Sequence, residues 1–209
     1  MTPPTLPVLI VGGGIGGLGA ALALAQQGIA SHVIEQSHEF REVGAGIQLG
    51  PNVFRMFERF GLTQAIDRTC VYPDALVMRD ALSGDEVTRI PLDAAFRERF
   101  RLPYAVIHRH DIHNAILEAC RASPLVKLTV NTKVESFTDH GSHVTLATAD
   151  GATHEGAALI GADGLWSKVR EAIVGDGKPR VSGHIAYRAV LPIGDVPQHL
   201  RINEVILWA

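Results

Sequence analysis

The first apolar run, residues 6–11, is long enough for one short strand, and it breaks off at five glycines within positions 12–17. Unbroken rather than alternating hydrophobicity is the pattern of a strand covered on both faces, as in a parallel sheet. Residues 16–27 then carry Ala, Leu and Gly at nearly every position before Gln26 and Gln27, which predicts a small-residue helix lying close on a sheet and closed by Gly28 just past its end. A second apolar run, residues 31–35, ends in the acid Glu35. Strand, glycine turn, helix and strand in that order predict a βαβ unit.

Beyond Glu35 the periodicity changes. Residues 41–50 read as an Arg/Gly-rich loop, and Pro51 with Asn52 opens a helix carrying Phe54, Phe57 and Phe60 three apart, a stripe expected in the core. Residues 76–91 predict short strands around the turn at Ser83, Gly84 and Asp85, and 93–101 a helix or loop. Residues 104–111 predict a strand running into a helix capped near Asp111, with Ile112, Ala115, Ile116 and Ala119 on one face. Strands are expected at 127–131 and 133–137, then a hairpin of 143–149 and 153–160 around Asp150 and Gly151. A turn and helix over 161–174 and strand-like segments at 183–191 and 204–209 complete the chain, with no internal repeat. The fold class is α/β.

Composition narrows the partners. At 209 residues and 46% hydrophobic the chain can bury a real core, and its net charge of −3 without a basic run argues against nucleic acid or an anionic membrane. Cys70 and Cys120 form no C-x-x-C pair, so free thiols in a reducing compartment are expected. The N-terminus has no basic leader and no apolar stretch reaches transmembrane length, which together predict a cytoplasmic protein acting on small molecules.

The glycine cluster fits G-x-G-x-x-G with Gly12, Gly14 and Gly17 as its fixed positions and Ile15 and Gly16 between them, and Glu35 follows Gly12 by 23 positions. Gly12 serves the tight turn, Gly14 lets a pyrophosphate approach the backbone, and Gly17 lets helix and strand pack closely. The helix N-terminus favours the phosphate charge, by about 0.3–1 kcal/mol per interaction. Glu35 can accept both hydroxyls of an adenosine ribose. FAD and NAD both carry ADP, so this motif does not choose between them. An NAD-dependent dehydrogenase would continue with parallel βα units after Glu35, where this chain has a loop and hairpins.

A second turn, residues 161–164, also follows an apolar strand and opens a helix. It projects Asp163 at the end of a strand, where open α/β sheets bind ligands, and Ser167 is placed to cap the helix. An Asp–Gly turn serving only the backbone would look the same in sequence.

Residues 12–17, residues 161–164 with Ser167 and Arg170, and residues 44–48 with Pro51 and Asn52 together resemble the FAD-binding part of the group A flavoprotein aromatic hydroxylases. The likeness runs over essentially the whole chain and is nearest to members acting on hydroxybenzoates, on softer similarity around Tyr104, Ala186, Tyr187 and Arg188. It implies a Rossmann-like FAD-binding domain interleaved with an incomplete β-rich substrate domain: 1–75 and 104–182 for FAD, 76–103 and 183–209 for substrate. It implies bound FAD, NADH as transient reductant, and O2 activated as a flavin C4a-hydroperoxide to turn 3-hydroxybenzoate, or another phenolic acid such as salicylate, into a dihydroxy acid. A homodimer is compatible with the full-length protein.

The resemblance also assigns roles. Glu35 and the neighbouring Gln36 hold the adenosine ribose end, Arg41 lies near the pyrophosphate, and Gly46 and Ile47 place backbone beside the isoalloxazine ring. Arg109 reaches the ribityl and phosphate region, where a guanidinium can bond phosphate as a fork. Val134 meets the adenine through its main chain, and Asp163 belongs to a motif that serves FAD and the transient pyridine nucleotide together. Gln48 and Tyr104 are candidates to line the aromatic pocket.

His108, His110, Asp111 and His113 crowd one segment, but strand and helix geometry aims them apart, so no metal site is expected. No G-x-S-x-G is present. The family's later Gly-Asp motif is also missing: the pairs at Gly84 and Asp85, Gly175 and Asp176, and Gly194 and Asp195 lack its sequel, which predicts a piece of a longer enzyme with its catalytic base elsewhere.

Overall fold

The computed structural model describes residues 6–41 and 44–209. The first five residues of the N-terminus, and Glu42 and Val43 of the Arg/Gly-rich loop, lie outside the described residues. Two compact units divide the chain, one of residues 1–43 and 112–185, the other of 44–111 and 186–209.

The first unit is built on a parallel sheet. Strand β1 (Val8–Val11) lies between β2 (Ser31–Ile34) and β11 (Ala158–Gly161), with β7 (Val126–Thr129) outside β2. Leu9 and Ile10 are wholly buried, which explains why the run is apolar throughout. Helix α1 (Ile15–Gln26) presents Gly17, Leu18, Ala21 and Leu22 as its buried face, and Gly28, at φ +73°, turns the chain away in the left-handed region. Helix α5 (Arg109–Ala122) buries Ile112, His113, Ile116, Leu117 and Cys120. Its start at Arg109, two residues before the expected cap at Asp111, puts that acid within the first turn.

An antiparallel sheet of β8 (Val134–Asp139), β9 (Val144–Thr148) and β10 (Thr153–Gly156) packs on the same core. Leu9, Val11 and Ile34 cluster with Val144 and Leu146. Each such buried aliphatic chain contributes roughly 1.5–3 kcal/mol. The sequence predicts one strand over 153–160, whereas the structure divides it. Residues 153–156 pair with β9 and 158–161 with β1. The switch occurs at Gly156, where a Cβ would stand 2.4 Å from Leu9 Cγ and 2.7 Å from the Pro7 carbonyl oxygen. Only glycine lets the chain pass that close. Helix α6 (Lys168–Val174) follows β11.

In the second unit β3 (Gly46–Leu49) and β6 (Ala105–His108) form an antiparallel ribbon, so the expected 41–50 loop contains a strand. Helix α2 (Pro51–Phe60) buries Phe54 and Phe57, whose rings meet edge to face at 5.8 Å, while Phe60 is half-buried. A short helix, α3 (Thr63–Asp67), follows where the sequence pattern announces none. Strand β4 (Ala75–Arg79) pairs antiparallel with β5 (Glu86–Pro91) and parallel with β12 (Glu204–Trp208). Helix α4 (Ala94–Phe100) is capped by Asp93, which accepts the N–H groups of Ala95 and Phe96. Residues 183–191 form no strand, contrary to their pattern, because no neighbouring ladder pairs with them; Tyr187 is 94% exposed. Among the described residues no helix is long and apolar enough to cross a membrane.

Candidate functional site

Parallel pairing of β1 with β11 brings the ends of both strands to the same edge of the sheet, so the two glycine turns lie side by side. Gly12 adopts φ +106°, and a Cβ there would lie 2.2 Å from the Ala162 carbonyl oxygen. A Cβ on Gly17 would lie 1.9 Å from the Gly12 carbonyl oxygen. Both glycines are therefore required by backbone packing, as the fingerprint implies. Gly14 differs: as N-cap of α1 it has φ −73° and ψ −179°, extended backbone open to any residue.

Glu35 is held by the turn itself. Its Oε2 accepts the Gly13 N–H at 2.6 Å and its Oε1 accepts the Ser37 N–H at 2.8 Å. A carboxylate offers about four lone-pair sites, so two remain for hydroxyls. Gly13 is enclosed on its other sides: a Cβ there would meet the Phe40 ring at 2.4 Å, and its carbonyl oxygen is 2.9 Å from His113 Nε2.

Beside the turns opens a cavity of about 390 Å³ lined by Gly12, Gly14, Glu35, Gln36, Val134 and Asp163 among the expected residues. Its wall also includes Lys133, Trp166 and Lys168, which the sequence pattern does not single out. The donor set suits a nucleotide: a glycine cradle that side chains would fill, an acid for hydroxyls and two cations for phosphate charge. Ile15, Gly16 and Gly17 lie in the first turn of α1, outside the lining.

Asp163 is engaged within its own turn. Its Oδ1 accepts the Ser167 hydroxyl at 2.5 Å and its Oδ2 the N–H groups of Lys168 at 2.8 Å and Val169 at 3.3 Å. Ser167 Oγ in turn accepts the Arg170 N–H at 3.0 Å, the cap expected of it. Arg170 pairs with Asp176 at 2.6 Å. Gly161 packs on α6, where a Cβ would sit 2.7 Å from Val169 Cβ.

Arg41 is exposed and lies 3.5 Å from Glu39, outside the cavity lining. Gly46, Ile47, Gln48, Tyr104 and Arg109 belong to the second unit. There the Tyr104 hydroxyl donates to Gln48 Oε1, bringing the two pocket candidates together. Burial pushes the Tyr104 phenol above its ordinary pKa, so it is a neutral donor at physiological pH. The Arg109 side chain lies against Gly44, where a Cβ would stand 2.9 Å from its Cδ.

The sequence groups His113 with the histidines of its segment, yet it is wholly buried against the glycine turn. The signal is its place among Ile112, Ile116 and Leu117 on the apolar face of α5. Lys133 and Lys168 carry no local signature beyond adjacency to Val134 and to the 161–167 turn.

A family model described as an FAD binding domain matches residues 5–186. The chain is 45% identical over 202 residues to 3-hydroxybenzoate 6-hydroxylase 1 of Aquipseudomonas alcaligenes, covering 97% of this chain and 51% of that protein. It is 47% identical over 206 residues to 3-hydroxybenzoate 6-hydroxylase of Polaromonas naphthalenivorans strain CJ2, covering 99% and 51%. The crystal structure of p-nitrophenol 4-monooxygenase PnpA from Pseudomonas putida DLL-E4 matches with TM-score 0.73 at 26% identity, over 79% of this chain and 42% of that one. A variant of Klebsiella pneumoniae HpxO, complexed with FAD, gives 0.70 at 28% over 81% and 42%. The chain spans about half the length of the curated relatives it matches. With the paired glycine turns, the cavity and these similarities in agreement, the chain belongs to the FAD binding domain family.

Proposed function

We propose that this chain supplies the FAD-binding part of a monooxygenase that hydroxylates 3-hydroxybenzoate para to its hydroxyl, giving 2,5-dihydroxybenzoate. The observation that carries the reading is the 45–47% identity to two 3-hydroxybenzoate 6-hydroxylases over nearly the whole chain, on a glycine cradle of the right geometry. The reaction consumes 3-hydroxybenzoate, NADH, O2 and a proton and yields dihydroxybenzoate, NAD+ and water. Bound FAD supplies the passage of two electrons from NADH to O2, which activates oxygen for transfer to the ring.

The chain's own residues bind and orient. Glu35 takes the adenosine ribose on the lone pairs left by Gly13 and Ser37, with Gln36 beside it in the cavity wall. Gly14 admits the pyrophosphate to the α1 N-terminus, with Lys133, Lys168 and Arg41 as sources of positive charge. Main chain at Val134 borders the adenine. The roles proposed for Gly46 and Ile47 are backbone contact with the isoalloxazine, for Arg109 contact with the ribityl and phosphate region, and for Asp163 acceptance from ribityl or ribose hydroxyls. Asp163 also keeps α6 capped, so its contribution is partly to hold the turn in shape.

Gln48 and Tyr104 are the proposed wall of the aromatic pocket in this chain. Their mutual hydrogen bond fixes both side chains and leaves the Gln48 amide N–H groups to donate to a ring oxygen. A phenolate oxygen enriches the ortho and para carbons of the ring, so stabilising it selects the carbons attacked.

The test uses the full-length protein containing this chain, with NADH oxidation and product chromatography. The reading predicts NADH consumption accelerated by 3-hydroxybenzoate and stoichiometric 2,5-dihydroxybenzoate. Equal consumption with and without the acid would contradict the substrate. Salicylate in a parallel assay identifies the other phenolic acid if that is the better substrate. The 209 residues alone are proposed to bind FAD without coupled product.

A further inference from the structure

We infer that His113 is a positioning residue for the dinucleotide turn, acting through the peptide of Gly13; this rests on the FAD reading above. Gly13 occupies a variable position of the fingerprint, yet it is buried and enclosed on several sides. Its N–H donates to Glu35 Oε2 at 2.6 Å, its carbonyl oxygen lies 2.9 Å from His113 Nε2, and the Phe40 ring closes over its Cα. The two hydrogen bonds engage both polar groups of one residue and come from β2's end on one side and α5 on the other. The residue that follows, Gly14, offers its carbonyl to Leu18 at 3.0 Å and opens α1. Fixing Gly13 therefore fixes the aim of the amides that face the pyrophosphate.

The chemistry of the ring is settled by its partner. A carbonyl oxygen only accepts, so Nε2 carries the proton of this hydrogen bond. Nδ1 meets no hydrogen-bond partner among the described residues, although His113 is wholly buried. An apolar residue would avoid that uncompensated nitrogen, so the histidine is better explained by what Nε2–H does for the turn than by packing. The residues one turn further along α5, Ile116 and Leu117, show that apolar side chains suit the same face.

The experiment compares His113→Leu, His113→Asn and His113→Gln with the unaltered chain. FAD affinity is measured by fluorescence titration, and amide hydrogen exchange is followed for residues 12–18 without FAD. A Gln amide nitrogen can reach the position of Nε2, whereas Asn is too short. The inference predicts that His113→Leu and His113→Asn bind FAD about tenfold or more weakly, on the scale of one hydrogen bond to a preorganised turn, and that the turn amides exchange faster. His113→Gln should restore both within about threefold. Unchanged affinity and exchange in His113→Leu would overturn the inference, as would equal losses in His113→Gln and His113→Asn. Should Leu prevent folding, the Gln and Asn pair decides. An unaltered chain that takes no FAD would sink the underlying reading, while the exchange data would still decide whether His113 holds the turn.

Discussion

Oε2 of Glu35 stands 2.6 Å from the Gly13 nitrogen, so the acid that ends β2 also fastens the turn that ends β1. The sequence spacing makes Glu35 the proposed ribose ligand, and the geometry shows it bonded to the turn as well. Glu35→Ala should weaken FAD binding about ten- to a hundredfold, the effect of losing charged hydrogen bonds worth roughly 1.5–3 kcal/mol. Glu35→Gln keeps one acceptor oxygen and should fall between. Equilibrium titration with FAD checks the order; binding by Glu35→Ala at full strength would remove Glu35 from the site.

Neighbouring glycines of the turn should behave oppositely. Gly17→Ala places a Cβ 1.9 Å from a backbone oxygen, whereas a Cβ on Gly16 meets nothing within 4 Å. Overpacking against backbone costs about 1–3 kcal/mol or more, while Gly16→Ala removes a glycine from a helix and should stabilise by up to about 1 kcal/mol. Thermal melts of the two variants should move in opposite directions.

Acid should loosen the fold through His32. The ring is buried, its Nε2 lies 2.8 Å from Thr129 Oγ1, and its pKa is lowered from 6.5 to about 4, by burial first and then by Lys127 and His154. The unfolded chain takes up the proton near pH 6.5 and the folded chain only near 4, so the contribution is whole above 6.5 and is lost as pH falls toward 4. Between about pH 7.5 and 5 this amounts to roughly 2 kcal/mol. Urea unfolding of His32→Leu should show that much less acid sensitivity; an identical slope would assign the acid effect elsewhere.

Asp163→Ala should release α6. It removes three accepted hydrogen bonds, two of them from backbone N–H groups at the start of the helix. A cost of about 1–2 kcal/mol is expected, with faster amide exchange confined to residues 165–174. If FAD binding weakens while that exchange is unchanged, Asp163 acts on the ligand directly.

The βαβ unit is legible in the sequence because each part is locally determined. Leu9 and Ile10 need to be apolar on both faces, and Gly12 needs a left-handed turn. The helix signals at Gly28 and Ser167 likewise describe their own backbone. What escapes depends on partners distant in sequence. Nothing near Gly156 announces that Leu9 will approach it and that one expected strand will serve two sheets. Residues 183–191 have strand composition but no ladder, since pattern does not supply a neighbour. His113 meets Gly13 across 100 positions, a contact no local motif encodes. At Asp163 the sequence leaves ligand and backbone roles open, and the structure shows the carboxylate in the backbone role.

The central claim is that FAD is held at the first glycine turn, and Gly14→Val tests it most directly. The backbone there, φ −73° and ψ −179°, accepts a β-branched residue, so the variant should keep the native circular dichroism spectrum. Fluorescence titration with FAD should give saturable one-to-one binding by the unaltered chain and none by the folded Gly14→Val chain. Equal binding by both would place the pyrophosphate elsewhere and contradict the account.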